Sequence, residues 1–207
     1  MLDESSQLCL HCIFELPITG FADMKDNPVE KIFWGRIHVE AATSELYFSK
    51  GTLVQSIIHQ LKYKGNREAG IMLGKIMGES LSNSNRFKEI DLLIPLPLTR
   101  IKERKRGYNQ SEILCLGISE VTNIPILKNA VSRLKATETQ TKKRRSQRWD
   151  NVEGNFFVNQ KELIQGKHVL LVDDVITTGA TLEACGQEIL HIAGTRLSIA
   201  ALAWATR

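Results

Sequence analysis

The stretch Val169-Leu-Leu-Val-Asp-Asp-Val-Ile-Thr-Thr-Gly-Ala-Thr181 decides the fold. Four apolar residues run without interruption into two consecutive carboxylates, Asp173 and Asp174. A continuous apolar run of this length reads as a strand buried on both faces, the habit of a parallel sheet covered by helices. In open parallel sheets ligands bind beyond the carboxyl ends of the strands, so both acids fall at the expected ligand edge. Alternation along a strand points them in different directions. One is then free to take sugar hydroxyls, the other to orient a loop or a hydrated metal ion. Thr177-Thr-Gly-Ala-Thr181 follows, just ahead of a helix. Small residues, threonine hydroxyls and a helix N-terminus together favour a bound anion. The pattern is a phosphate cradle without a lysine. Neither the Gly-x-x-x-x-Gly-Lys-Ser/Thr loop nor Gly-x-Gly-x-x-Gly is present. The plainer reading, a capped strand-turn-helix, leaves two partly buried like charges side by side, which repel.

Working outward, Asp91-Leu-Leu-Ile-Pro95 is a second buried apolar run, and Arg196 to Trp204 reads as a third strand. A helix is expected from Thr181 to Ala193. Upstream, residues 37–48 are rich in β-formers and predict one or two strands. Ser49 or Thr52 caps a helix carrying Leu53, Ile57, Ile58 and Leu61, stopped near Gly65. A further helix is predicted from Glu68 to Leu81 and another from Asn109 to Val121, with a basic loop over 100–106 ahead of the latter. Ile126-Leu127, Val131 to Leu134 and Phe156 to Val158 read as short strands. Residues 135–151 form a connection too long for a tight turn, and connections of that length are usually functional or disordered. Buried strands alternating with helices give an α/β fold with a mainly parallel sheet flanked by helices. Residues 1–30, broken by Pro17, Gly20 and Asn27-Pro28, read as a short N-terminal appendage to a domain spanning 31–207.

The 207 residues are 43% hydrophobic and 24% charged, which suits a globular domain and argues against global disorder. No apolar run approaches the ~18 residues of a membrane span. Met1-Leu-Asp-Glu-Ser-Ser lacks the basic and apolar pattern of a secretory signal, so the expectation is a cytoplasmic protein without membrane insertion. The net charge of +4 is unevenly spread. Residues 100–106 and 135–148 hold eleven basic side chains against two acidic ones, while the rest holds 16 against 21. Concentrated basic segments attract phosphates, on a small molecule or on nucleic acid. Taken singly, each such charge is as well explained by solvation.

Cys9-Leu-His-Cys12 is one half of a zinc knuckle, but a structural site needs four ligands and no second Cys-x-x-Cys follows. A Zn²⁺ bound at Cys9 and Cys12 would need help from elsewhere, such as His38 or a second chain. Cys115 and Cys185 lie on apolar helical patterns and read as small core residues. The histidines are scattered and no Ser/His/Asp nucleophile motif is present.

The segment 169–181 resembles the phosphoribosyl-pyrophosphate (PRPP) signature of type I phosphoribosyltransferases. The wider chain, over about residues 30–205, resembles the ComF family, amidophosphoribosyltransferase-like proteins linked to competence and DNA uptake. The matching stretches are Leu61-Lys-Tyr-Lys-Gly65, Ile94-Pro-Leu-Pro-Leu98, Arg104 with Arg106-Gly-Tyr-Asn-Gln110, Thr139-Gln140 to Arg148 ahead of Asn151, and the signature itself. The resemblance implies a Rossmann-like type I phosphoribosyltransferase fold with a small hood, drawn from residues 30–50 and the C-terminal end. It implies that Asp173 and Asp174 hold the ribose hydroxyls, directly or through Mg²⁺-bound water. Thr177, Thr178, Gly179, Ala180 and Thr181 would cradle the 5′-phosphate. The loop from Leu98 and Thr99, with Arg100, Arg104 and Arg106, would hold pyrophosphate, and Lys102 adds to the charge that could stabilise it as a leaving group. The segment carrying Lys142, Lys143, Arg144 and Arg145 would close over the site. The family commonly begins with a four-ligand zinc ribbon, of which Cys9 and Cys12 would be a remnant.

Two functions follow as expectations. One is an enzyme, a Mg²⁺-dependent phosphoribosyltransferase acting on PRPP and an acceptor the sequence does not name. The other is a non-catalytic module on the same fold that senses PRPP or a nucleotide, or binds single-stranded DNA, in company with DNA-uptake proteins. These 207 residues leave no room for a glutaminase domain, so glutamine-dependent chemistry is not expected of them. Dimers are common among relatives, and nothing in the sequence fixes whether this chain forms a homodimer.

Overall fold

The structure is a computed structural model and describes residues 10–133 and 156–205. Its centre is a four-stranded, all-parallel sheet in the order β1-β6-β5-β2. The strands are β1 (Ala42–Phe48), β2 (Leu92–Pro95), β5 (His168–Ile176) and β6 (Arg196–Ala205). The inner strand β5 shows why the sheet is parallel and covered. Leu170 and Val172 point into one core and Val169 and Leu171 into the other, all fully buried. Both faces are therefore apolar, as a doubly covered sheet requires.

Three helices cover the first face: α3 (Leu53–Tyr63), α4 (Arg67–Asn83) and α6 (Gln110–Thr122). Val54, Ile57, Ile58 and Leu61 form the buried stripe of α3, the spacing the sequence predicts. Helices α4 and α6 approach closely because small residues meet. A Cβ on Gly74 would lie 2.3 Å from the Leu114 carbonyl oxygen, and one on Gly117 would lie 2.1 Å from that of Ile71. On the other face lie α2 (Pro28–Phe33), α8 (Ala180–Leu190), the short α7 (Lys161–Ile164) and a small antiparallel ribbon of β3 (Val131–Arg133) with β4 (Phe156–Val158).

Two stretches differ from expectation. The basic stretch 100–106, read as a loop, is helix α5 (Arg100–Arg106). Arg, Lys and Glu are good helix formers, Thr99 caps the start, and Gly107 ends it at φ 80. The N-terminal stretch read as irregular packs tightly where it is described, following the single turn α1 (Leu10–Phe14). Ile18 bridges to Leu46, and Thr19 N–H donates to the Glu45 carbonyl (2.9 Å). This covers the open edge of β1, which would otherwise present unpaired backbone groups. Asn27 is fully buried. It caps α2 through Val29 and Glu30 N–H and donates to the Ala42 carbonyl at 2.8 Å. The stretch 30–50, to which the resemblance assigns part of the hood, supplies most of α2 and all of β1, an outer strand of the central sheet. Among the described residues no helix is long and apolar enough to cross a membrane.

Candidate functional site

The C-terminal ends of β5 and β2 lie side by side, paired up to Pro95 with Val172. The acid pair stands immediately beyond. Strand β5 continues through it to Ile176, held by β6 as far as Trp204. Asp173 Oδ1 accepts two hydrogen bonds, from Ser111 Oγ at 3.2 Å and from the Asp174 backbone N–H at 2.7 Å. Asp174 Oδ2 lies 3.1 Å from Lys62 Nζ, both side chains largely buried. The two carboxylates thus turn to different neighbours, α6 and α3. Burial, with the Asp174 charge beside it, pushes the Asp173 carboxyl well above the usual carboxylate range, while its hydrogen bonds and Lys62 act the other way. Asp173 Oδ2 and Asp174 Oδ1 have no hydrogen-bond partner among the described residues.

The turn after β5 is built from Thr177 and Thr178, both exposed, and Gly179, which is buried. Gly179 has φ 73, and a Cβ there would sit 2.6 Å from Ile32 Cγ2. A side chain at this position is therefore excluded twice, by backbone conformation and by α2 behind it. Arg36 ties the turn down. Its guanidinium donates to the Thr178 carbonyl (2.9 Å) and pairs with Glu183 of α8. Ala180 opens α8, with Thr181 in its first turn. The first amides of a helix lack intrahelical acceptors, so the turn and helix start form a concave donor surface. A cleft of about 410 Å³ opens beside it, lined by Ile32, Arg36, Thr177, Thr178, Trp204 and Ala205.

A third part follows β2. The Leu96 N–H donates to the Val172 carbonyl (2.9 Å), and Asn109 Nδ2 donates to the Leu96 carbonyl (3.0 Å). Asn109 also caps α6 through the Ser111 N–H at 3.0 Å, and so places Ser111 against Asp173. Leu98 and Thr99 are half-buried at this edge. The predicted basic residues divide. Arg106 donates to Gln110 Oε1 (2.6 Å) and lies over the Tyr63 ring at 5.8 Å, beside Lys62. Arg100, Lys102 and Arg104 stand in solvent on α5 with no ionic partner among the described residues.

Several residues of the site carry no role in the sequence reading. Lys62, Tyr63 and Tyr108 sit inside quoted motif stretches, yet spacing alone gives them no partner. Tyr108 is buried and its hydroxyl donates to the Leu61 carbonyl in the last turn of α3. Arg67 stacks on the Tyr108 ring at 5.0 Å. Ser111 and Arg36 lack any sequence signal. Lys142, Lys143, Arg144, Arg145 and Cys9 lie outside the described residues. Cys12 is buried in the core. Among the described residues no group of three His, Cys, Asp or Glu side chains could hold a metal ion. The thiols of Cys115 and Cys185 are fully buried, and burial raises both well above the usual range, which removes them as nucleophiles.

Residues 98–206 match the phosphoribosyl transferase domain family. The chain is similar to the DNA utilization protein YhgH of Shigella flexneri, at 31% identity over 138 residues, covering 65% of this chain and 60% of that protein. It is similar to competence protein F of Haemophilus influenzae, at 32% identity over 130 residues, covering 61% and 57%. The match spans about 60% of the length of these curated relatives. Among solved structures, a hypoxanthine phosphoribosyltransferase from Trypanosoma cruzi overlays with a TM-score of 0.43 at 16% identity, over 65% of this chain and 64% of its own. The parallel sheet, the acid pair ending β5 and the Thr-Gly turn opening α8 all lie in the matched region or pair directly with it. This chain belongs to the phosphoribosyl transferase domain family.

Proposed function

We propose that the protein binds PRPP and transfers its phosphoribosyl group to an acceptor. The observation that carries the reading is the acid pair Asp173–Asp174 near the C-terminal end of β5, followed after Val175 and Ile176 by the Thr177–Thr181 turn on the N-terminus of α8. In this reading Asp173 and Asp174 take the ribose hydroxyls. Backbone amides and hydroxyls of Thr177, Thr178, Gly179, Ala180 and Thr181 take the 5′-phosphate. Leu98, Thr99 and the cations of α5, with Arg100, Arg104 and Arg106, face the departing pyrophosphate. Transfer builds negative charge on that leaving group, so fixed cations nearby favour the transition state over the ground state.

Mg²⁺ fits the donor set. The acid pair offers hard carboxylate oxygens, and two of these carry no hydrogen bond among the described residues. Mg²⁺ commonly takes one or two carboxylates plus waters and substrate phosphate rather than a protein cage. Asp173 and Asp174 would hold it through bound water once it arrives with PRPP, and it would supply charge neutralisation for the pyrophosphate. The setting we propose is cytoplasmic and, from the similarity to proteins named for competence and DNA utilization, connected with DNA uptake.

Calorimetric titration of PRPP with and without Mg²⁺ tests the reading. Micromolar, Mg²⁺-dependent binding that Asp173→Asn/Asp174→Asn abolishes is the expected result. Unchanged affinity in that variant overturns the assignment. One observation favours a second reading, a single-stranded DNA module. Helix α5 buries none of its residues and presents five basic side chains, near the exposed ring of Tyr63. Cations beside an aromatic face suit a nucleic-acid strand. Binding that falls steeply with salt, and is lost on neutralising Arg100, Lys102 and Arg104, supports it. No binding at low salt removes it.

A further inference from the structure

The Lys62–Asp174 ion pair has no part in the roles given so far. Helix α3 ends at Tyr63, so Lys62 sits in its last turn, where a cation also suits the helix dipole. The turn is fixed in place. Leu61 is buried in the core, and its carbonyl, short of an intrahelical partner at a helix end, receives the Tyr108 hydroxyl. Lys62 is thereby set over the end of β5, 3.1 Å from Asp174 Oδ2 and only 21% exposed. Its neighbours do not supply the same charge. Arg106 is engaged by Gln110 and Tyr63, and Ser111 offers Asp173 a neutral hydrogen bond. Among the described residues Lys62 is the one full positive charge in contact with the acid pair.

Resting on the phosphoribosyl reading, we propose that Lys62 is the positioning residue of the acid pair. Its ammonium neutralises and aims Asp174 in the place a directly bound divalent cation would otherwise take. One oxygen of Asp174 is held by Lys62, and the other is left to accept a ribose hydroxyl. A pentose carrying a phosphate and a pyrophosphate approaches an acid pair only where those carboxylates are compensated, and Lys62 provides that compensation before the substrate arrives. Mg²⁺ then enters with the pyrophosphate rather than being stored on the acids.

The test compares Lys62→Met and Lys62→Arg in the full chain, each also in the Asp174→Asn background. PRPP affinity is read by calorimetry across a Mg²⁺ series, and Mn²⁺ affinity is read without PRPP. Lys62→Met is expected to weaken PRPP about tenfold or more, to raise the Mg²⁺ needed for half-maximal binding, and to tighten Mn²⁺ about tenfold, because the acids are left uncompensated. Lys62→Arg, which keeps the charge, should stay near wild type in all three. In the Asp174→Asn background Lys62→Met should change nothing further. A purely structural lysine would lower thermal stability without moving the metal readouts. Lys62→Met values within about twofold of wild type for both PRPP and Mn²⁺ overturn the proposal, as does an equal loss of PRPP affinity with and without Asp174→Asn. If the wild type binds no PRPP at all, the phosphoribosyl reading fails on its own. The Mn²⁺ arm then decides: a gain that requires Asp174 upholds Lys62 as the counter-ion, and no gain refutes it.

Discussion

Replacing Gly117 with alanine should separate α4 from α6 and loosen the acid pair at the far end of α6. The added Cβ would lie 2.1 Å from the Ile71 carbonyl oxygen, and 2.7 Å from both Gly74 Cα and Lys75 N. All three are backbone atoms of α4, so no side chain can swing aside. A normal carbon contact needs about 3.5 Å or more, so the helices must part by roughly an ångström. Forced overpacking of this kind costs about 1–3 kcal/mol, against a gain of about 1 kcal/mol from alanine's better helix propensity. Contacts this short with backbone that cannot swing aside call for the upper part of that range, about 2–3 kcal/mol, so the net expectation is a loss of about 1–2 kcal/mol, or a fall in Tm of roughly 2–8 °C for a chain of this size. Gly78→Ala is the internal control. Its Cβ would meet Val121 Cβ at 3.0 Å and α6 backbone atoms only at 3.2 Å, so propensity and crowding should nearly cancel. Thermal unfolding of the three proteins gives the stabilities. Because Ser111 lies on the same helix and reaches Asp173 at 3.2 Å, Gly117→Ala should also weaken PRPP binding. The reasoning is refuted if Gly117→Ala is as stable as wild type, or if Gly78→Ala loses as much.

Glu45 gives a prediction in pH. It is buried on β1, burial holds its carboxyl at about 7 against an ordinary 4.5, and its contact with Ser80 Oγ (2.9 Å) only partly offsets this. Between those values the folded protein keeps a proton that the unfolded chain has lost, so stability falls as pH rises through the window. At about 1.4 kcal/mol per pH unit the whole window is worth roughly 3 kcal/mol. Glu45→Gln should match wild type near pH 4 and exceed it by about that amount at pH 8 in denaturant unfolding, and a difference that stays constant with pH would rule the cause out. Tyr108→Phe removes the donor to the buried Leu61 carbonyl, and should cost about 1–3 kcal/mol while weakening PRPP binding through Lys62. Wild-type affinity with lowered stability would show that the α3 end does not depend on that bond to place Lys62.

The central strand was legible because its pattern is local. Val169 to Val172 are apolar without break, and the structure buries them alternately in two cores. The acid pair and the Thr-Gly turn were legible for the same reason, being contiguous with that strand. Helix α3 followed from the spacing of Leu53, Ile57, Ile58 and Leu61, since a helix writes its buried face into the sequence at a fixed period. The partners of the acids were not legible. Lys62 and Ser111 are far from Asp174 and Asp173 in sequence, and only the packing of α3 and α6 on one sheet face brings them together. Helix α5 is not legible because its seven residues show no apolar periodicity, although its Arg, Lys and Glu residues are good helix formers between a Thr99 cap and Gly107. The buried Asn27 was hidden by its Asn-Pro context, which marks a turn or a capped helix start equally well. Gly74 and Gly117 carry no signal in the local sequence for their role, which is to let two helix backbones meet.

The most direct test of the account is a crystal structure of the protein with PRPP and Mg²⁺. The account predicts the 5′-phosphate within hydrogen-bonding distance of the 178–181 amides, the ribose hydroxyls on Asp173 and Asp174, and the pyrophosphate facing Thr99 and α5. A PRPP molecule bound away from the end of β5, for example in the basic groove of Arg86, Lys88 and Arg196 at the opposite edge of the sheet, would contradict it.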